Sequence, residues 1–230
     1  MVGASTSHRL LLLGSAEFEP WAVEAEHAAL ASTDYGRPCV AIVPTAAFAD
    51  DDGDASFSRW AAKGTAHYAR GGIDSDVVPL RTREDADDRD IVRALAGHRM
   101  VFFSGGDPTY LARAIRGTRV QETLHDMLAD GAVFAGCSAG ACLAGIAAPP
   151  RLRADTISGE WSDALGLLAE TIVAPHWDEL DDVVRQAFRA QASKHGARIA
   201  PIDCHTAVLF DRGEGRLFAR GDVEDEQQAS

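Results

Sequence analysis

The chain has 230 residues, of which 46% are hydrophobic, and this size and composition suit a single α/β domain spanning residues 1–230. Its formal net charge of -13 excludes nucleic acid and anionic membranes as partners, because both bind basic surfaces. The chain lacks an apolar run of the roughly 18 to 20 residues that span a membrane, and Leu10–Leu13 is too short for a secretory signal, so we expect a cytoplasmic protein.

Short apolar runs alternate with helical patterns along the whole chain. This alternation predicts a three-layer α/β fold, in which helices cover both faces of a mostly parallel sheet. The polar ends, residues 1–8 and 222–230, are expected to be frayed. The predicted strands are 9–13, 39–44, 76–80, 100–103, 132–135, 171–174 and 207–210, and the predicted helices are 21–32, 57–71, 87–95, 110–115, 120–130 and 180–194.

A glycine turn, Ser104-Gly105-Gly106-Asp107-Pro108-Thr109, follows the predicted strand 100–103. Ligands bind beyond the carboxyl ends of the strands in an open parallel sheet, so glycine turns at neighbouring strand ends can face one pocket. The backbone N–H of Gly106 or Asp107 is a candidate for holding a developing oxyanion. Taken alone, the segment is more simply a β-turn in which a proline starts a helix.

A second glycine turn, Gly136-Cys137-Ser138-Ala139-Gly140-Ala141, follows the apolar run 132–135. It predicts a nucleophile elbow, in which a sharp turn between strand and helix exposes the Ser138 hydroxyl and the Ala139 N–H joins the oxyanion site. A tight turn with an incidental serine is the simpler alternative. Cys137 is a less favoured nucleophile, because it precedes the apex and its side chain should point away.

A serine nucleophile needs a base, normally a histidine oriented by a carboxylate. His176 is favoured because it follows the predicted strand 171–174, which places it at the same sheet edge as Ser138. His205 is the alternative, although it would lie at the opposite edge if the strand 207–210 were parallel. The other six histidines lie in a tail, in helices or in polar turns.

The segments Phe102–Asp107, Gly136–Ala141 and Pro175–Trp177, in this order, resemble the serine peptidases that comprise dipeptidase E and cyanophycinase. The resemblance spans about residues 9–210. It implies a flavodoxin-like sheet related to that of class I glutamine amidotransferases, with serine in place of their cysteine. It also implies cleavage after aspartyl residues: dipeptidase E takes peptides with an N-terminal aspartate, and cyanophycinase takes β-aspartyl-arginine polymers.

Residue by residue, the resemblance makes Ser138 the nucleophile, His176 the general base, and Gly106 with Ala139 the oxyanion donors. Asp107 is expected to help bind substrate.

The orienting acid is the point of departure from the family, because Cys204 occupies the slot where the family often has a glutamate. Asp155 aligns with an aspartate that matters in dipeptidase E and is our candidate. Asp178, Glu179 and Asp203 remain alternatives.

Recognition of an aspartyl side chain calls for arginine, whose fork matches a carboxylate. Arg185 and Arg189, one helical turn apart after His176, are the candidates, with Arg151 and Arg153 as weaker ones. A salt-bridged surface helix explains the first pair equally well.

We therefore expect a serine exopeptidase or dipeptidase that acts on small aspartyl peptides, with a homodimer left open. A differently specific hydrolase or amidotransferase-like enzyme, and a non-catalytic relative that binds a small ligand, are the alternatives. We expect no cofactor and no metal, because no four-ligand cluster is recognisable in the sequence. The four cysteines form no Cys-x-x-Cys pair, so they predict neither a disulfide framework nor a zinc knuckle.

Overall fold

A computed structural model describes residues 8–153, 156–157, 159–211 and 214–219. Apart from His8, the expected frayed ends lie outside these residues. The strands are β1 (Arg9–Leu13), β2 (Arg37–Val43), β3 (Asp74–Val77), β4 (His98–Phe103), β5 (Val133–Cys137), β6 (Ala147–Ala148), β7 (Leu152–Arg153), β8 (Thr156–Ile157), β9 (Ser162–Asp163), β10 (Thr171–Ala174), β11 (Arg198–Pro201), β12 (Thr206–Asp211) and β13 (Glu214–Ala219). The α-helices are α1 (Val23–Ala31), α2 (Asp54–Arg70), α3 (Arg89–Leu95), α4 (Pro108–Ile115), α5 (Arg119–Ala129), α6 (Ala139–Leu143) and α7 (Asp182–His195), and short 3-10 helices cover Pro20–Ala22, Thr45–Ala49 and Asp85–Asp87.

The central sheet has seven strands in the order β13-β12-β1-β5-β4-β2-β3. The strands β1, β5, β4, β2 and β3 pair in parallel, whereas β12 runs antiparallel to both β1 and β13. Three two-stranded sheets, β10-β11, β6-β9 and β7-β8, lie outside it. The predicted α/β fold with a mostly parallel sheet is confirmed.

Both faces of the sheet are covered, as the continuous apolar strands require. Side chains alternate across a strand, so Leu10 and Leu12 enter one hydrophobic cluster while Leu11 and Leu13 enter the other. All four are fully buried. Among the described residues, no helix combines the length and the apolar character that crossing a bilayer requires.

The predicted strand 76–80 is displaced in the structure, where β3 ends at Val77. Proline has no N–H and cannot continue a ladder of hydrogen bonds, and Pro79 stands directly after the last bond, from Val78 N–H to the Ile42 carbonyl. Val78 and Leu80 are nevertheless buried, which explains why an apolar pattern extended past the strand.

One predicted position needs correction: the strand 171–174 is expected in the main sheet, but within the described part of the chain β10 pairs with β11 and packs under α7 in a third hydrophobic cluster. The sequence leaves the position of His205 dependent on the direction of the strand that follows it. Because β12 is antiparallel, the start of β12 lies at the edge where the parallel strands end, and so does His205.

Candidate active site

The turn between β5 and α6 is a strained elbow with Ser138 at its apex. Ser138 has φ 51° and ψ -110°, a conformation that residues with a side chain rarely adopt. The flanking glycines are required by close backbone packing: a Cβ on Gly136 would overlap Gly140, and one on Gly140 would overlap the Phe103 carbonyl. The Gly-x-Ser-x-Gly spacing is therefore structurally necessary here, and it exposes one hydroxyl.

His176 is the histidine that reaches this hydroxyl. It follows β10 and Pro175, and its Nε2 lies 2.9 Å from the Ser138 Oγ. Its backbone also has a positive φ, of 54°, so the loop holds the ring in place at some cost in strain. His205 faces elsewhere, with its Nε2 3.8 Å from the Glu19 carboxylate.

Cys204 lies on the other side of the imidazole. Its Sγ is 3.5 Å from Nδ1 of His176. Burial, together with the carboxylates of Glu179 and Asp178, raises the pKa of the Cys204 thiol to about 11, so the thiol is neutral at neutral pH. A neutral thiol thus stands where a serine peptidase usually places its orienting carboxylate.

The candidate acids do not replace that carboxylate directly. Asp155 lies outside the described residues. Asp178 accepts a hydrogen bond from the Cys204 backbone N–H at 2.7 Å, which lowers the pKa of Asp178. Exposed Glu179 has a carboxylate oxygen within 4.8 Å of a ring nitrogen of His176 and of the Cys204 sulfur. Within the described part of the chain, neither these two acids nor Asp203 hydrogen-bonds to the ring.

The backbone donors that face Ser138 can be sorted by their partners. The N–H of Gly105 donates to Glu17, and the N–H of Asp107 donates to the Ala46 carbonyl at 3.0 Å. The N–H of Gly106 has no such partner among the described residues, and Gly106 lines the pocket together with Ala139 at the start of α6. Gly106, with Ala139, therefore remains a candidate oxyanion donor, whereas the N–H of Asp107 already donates to Ala46.

The Asp107 side chain begins α4. Its carboxylate accepts hydrogen bonds from the Tyr110 N–H at 2.9 Å and from the Thr109 hydroxyl at 2.8 Å. These bonds satisfy the helix N-terminus in the usual way of an N-cap residue. The structure thus gives Asp107 a structural role beside the pocket, and its predicted contact with substrate stays a prediction.

A buried residue that the sequence did not reveal joins the two glycine turns. Glu17, after β1, accepts a hydrogen bond from the Gly105 N–H at 2.7 Å with one carboxylate oxygen and from the Cys137 thiol at 3.0 Å with the other. Burial, with Glu17 beside it, raises the pKa of Cys137 well above its ordinary value. A fully buried thiol that donates a hydrogen bond to Glu17 is poorly suited to act as the nucleophile. No local pattern around Glu17 could have indicated a contact so distant in sequence.

A pocket of about 210 Å³ opens over Ser138 and His176. Gly106, Ala139 and Leu180 are among the residues that line it. This volume suits a small side chain or a dipeptide end.

The predicted arginine pair lies beside the loop that carries His176. Arg185 donates from Nε and Nη2 to the Trp177 carbonyl, at 3.2 and 2.9 Å, and both Arg185 and Arg189 lie over the Trp177 ring. Arg151, a weaker candidate in the sequence, lines the pocket and forms an ion pair of 2.7 Å with Asp50. The side chain of Arg153, the other weaker candidate, lies outside the described part of the structure.

Two three-residue groups in the described part of the chain have donor atoms close enough to hold a metal ion. One is Cys39, Asp76 and His98, and the other is His176, Glu179 and Cys204. Neither group is recognisable in the sequence, because each draws on residues far apart in the chain.

Comparison with known proteins places these features in a family. A model of the family described as Peptidase family S51 matches residues 10–218. Two proteins named Cyanophycinase, from Synechococcus elongatus and Thermosynechococcus vestitus, are each 29% identical over an alignment of 161 positions, which covers 64% of this chain and 48% of theirs. The chain thus spans about half the length of these relatives. A solved structure of a peptidase from an acI-B1 Actinobacterium has the same fold, with a TM-score of 0.73, 23% identity and coverage of 94% of this chain and 96% of that one.

Proposed function

The chain belongs to peptidase family S51, and from its site we propose that it is a serine-type peptidase of small aspartyl peptides. One observation carries the proposal: the Ser138 hydroxyl, on a strained elbow, lies 2.9 Å from Nε2 of His176 at the floor of a pocket. This is the distance at which a histidine can remove the proton from a serine.

The proposed reaction passes through an acyl-enzyme. Ser138 Oγ attacks the scissile carbonyl carbon while His176 Nε2 takes the hydroxyl proton, and the N–H groups of Gly106 and Ala139 stabilise the negative oxygen. His176 then gives this proton to the leaving amine. Water, deprotonated by His176, releases the acyl group and restores the Ser138 hydroxyl.

Cys204 is proposed to orient the imidazole without a charge. With its proton on Nδ1, the ring of His176 donates to Cys204 Sγ and leaves Nε2 free to accept from Ser138. Such a bond fixes the tautomer, but a neutral sulfur stabilises the imidazolium of the transition state less than a carboxylate does.

We expect Cys204→Ala to lower kcat about five- to tenfold with little change in KM, because a hydrogen bond between neutral groups contributes about 1 kcal/mol. Cys204→Glu puts a carboxylate in this slot. It is expected to raise kcat about tenfold, because the carboxylate should recover part of the large rate contribution that the orienting acid makes in a triad. Steady-state kinetics on the best substrate measures both. An unchanged kcat in Cys204→Ala would remove Cys204 from the catalytic group.

Specificity for an aspartyl side chain is proposed to reside in Arg151. Among the described residues Arg151 is an arginine that lines the pocket, and its Nη1 lies 2.7 Å from the Asp50 carboxylate. The remaining N–H groups can donate to a substrate carboxylate. Arg185 and Arg189 are proposed to act indirectly, by holding the loop of His176 through the carbonyl and ring of Trp177.

A panel of four dipeptides, Asp-Leu, β-Asp-Leu, β-Asp-Arg and Ala-Leu, tests the proposal with an amine-reactive readout. We expect turnover of one or more aspartyl members and little of Ala-Leu. Arg151→Gln should lower kcat/KM for the aspartyl substrates about 10- to 100-fold, since a charged hydrogen bond is worth about 1.5 to 3 kcal/mol. Arg116→Gln is the matched control, because Arg116 is also paired with one aspartate, Asp163, but lies outside the pocket.

A non-catalytic protein that binds a small ligand is the second candidate, and Cys204 is the observation that favours it. Loss of the triad acid is how a hydrolase site would decay while its pocket remained. Absence of turnover of all four dipeptides, by the folded protein and by its Cys204→Glu variant, would support this candidate and overturn the serine-type peptidase.

The proposed place of action is the cytoplasm. All four cysteines are free thiols, a state that a reducing compartment maintains.

A further inference from the structure

Three donor atoms from different parts of the chain meet beside the catalytic imidazole. Cys204 Sγ lies 3.5 Å from His176 Nδ1. A carboxylate oxygen of Glu179 lies within 4.8 Å of the Cys204 sulfur and of a ring nitrogen of His176. In tetrahedral zinc sites, with Zn–S of about 2.3 Å and Zn–N of about 2.0 to 2.1 Å, sulfur and nitrogen are themselves about 3.5 Å apart. The sulfur and the ring nitrogen therefore already have the separation of two zinc ligands.

The surroundings of this group are negative and open to solvent. The carboxylates of Asp178 and Glu179 lie beside Cys204, and their negative charge favours a cation at the same place. His176 and Cys204 are half-buried and Glu179 is exposed, so an ion has a path to the donors and a water molecule can complete its coordination.

We propose that His176, Glu179 and Cys204 bind a zinc ion that reversibly switches off the peptidase. Inhibition by zinc rests on the proposed function, whereas the binding of zinc does not. Zinc binds Nδ1 of His176, the carboxylate of Glu179 and the thiolate of Cys204, with water as the fourth ligand.

Proton balance explains the inhibition. Cys204 releases its thiol proton to water when its sulfur binds the metal. The proton on Nδ1 of His176 moves to Nε2, since Nδ1 now binds zinc. Nε2 then donates a hydrogen bond to Ser138 and has no lone pair with which to take the hydroxyl proton. Removal of the metal restores the base.

The second cysteine-containing group provides an internal comparison at the opposite edge of the sheet. There, Cys39, Asp76 and His98 have similar donor atoms, but Nη2 of Arg37 lies 2.6 Å from both Asp76 Oδ2 and His98 Nε2. A metal would have to displace a guanidinium that already holds two of the three donors. This group therefore carries no proposal, and Cys39→Ser is a matched control.

Titration of the metal-free protein with Co²⁺ tests binding without reference to activity, because a cobalt–thiolate bond gives a charge-transfer band in the near ultraviolet. We expect a 1:1 band in the wild type and in Cys39→Ser, its loss in Cys204→Ser, and its displacement by Zn²⁺. Glu179→Gln, which keeps both the thiol and the histidine, should weaken binding about tenfold or more. Thermal unfolding of each variant confirms that it is folded.

The activity measurement uses the same proteins and the best dipeptide. Zn²⁺ should inhibit the wild type and Cys39→Ser at the concentrations that displace Co²⁺, and EDTA should restore their turnover. The residual turnover of Cys204→Ser should be unaffected by Zn²⁺. Absence of the band in the wild type, or a band lost in Cys39→Ser but kept in Cys204→Ser, overturns the metal site. A band without turnover of any peptide leaves the metal site standing and overturns the peptidase. Turnover that persists at the zinc concentrations that displace Co²⁺ leaves the peptidase standing and overturns the inhibition by zinc.

Discussion

Ser138→Ala is expected to lower kcat for the best aspartyl dipeptide by about 10⁴- to 10⁶-fold, the loss typical of a missing serine nucleophile. The physical reason is that no other group stands at the position from which the carbonyl carbon is attacked. Substrate binding should survive, because the pocket walls and the N–H groups of Gly106 and Ala139 remain in place. Single-turnover kinetics with high enzyme concentration measures so large a loss.

Cys137→Ser is the control for that result, since it changes the neighbouring residue. The introduced hydroxyl can still donate to Glu17, which now accepts from the Cys137 thiol at 3.0 Å, so the turn should keep its shape. Activity should stay within a few-fold of wild type. A collapse of turnover in Cys137→Ser together with retained turnover in Ser138→Ala would overturn the assignment and identify a cysteine enzyme.

His176→Gln is expected to have the second large effect, a loss of about 10⁴-fold or more in kcat with a folded protein. Glutamine can hydrogen-bond to Ser138 but cannot take its proton at neutral pH. The deficit should therefore lie in the chemical step, with KM nearly unchanged. The leaving group of an activated ester depends less on protonation by the histidine. Burst kinetics with such an ester should therefore show a smaller loss of rate in His176→Gln than the peptide does.

His205→Gln is the counterpart on the same edge of the sheet. Its imidazole faces Glu19 at 3.8 Å and packs against Trp21, so its replacement should leave kcat within a few-fold of wild type. A large loss in His205→Gln, combined with activity in His176→Gln, would exchange the roles of the two residues.

The elbow shows how far a local pattern can go. Gly136, Ser138 and Gly140 are predictable because their requirement is local: the backbone packs too closely at both glycines to admit a Cβ, and only one residue between them has a usable hydroxyl. His176 was predictable for a related reason, since it follows an apolar strand. The strand proved to lie outside the central sheet, yet it ends at the same place.

The orienting group shows where local reasoning stops. The acids near His176 in the chain were natural candidates, but the atom that reaches Nδ1 belongs to Cys204, 28 residues away. The direction of β12 decided this. An antiparallel strand starts where the parallel strands end, which brings residues 204 and 205 to the catalytic edge, and no periodicity in the sequence distinguishes the two directions.

By itself, the sequence determined the layers of the fold, the strained serine turn and the histidine that serves it, because apolar periodicity and glycine positions act over a few residues. Only the tertiary structure decided that Glu17 joins the two glycine turns and that Arg151, and not Arg185, lines the pocket. Each of these contacts joins segments far apart in the chain, so it depends on the order and direction of strands, which hydrogen bonding and core packing set for the whole sheet at once.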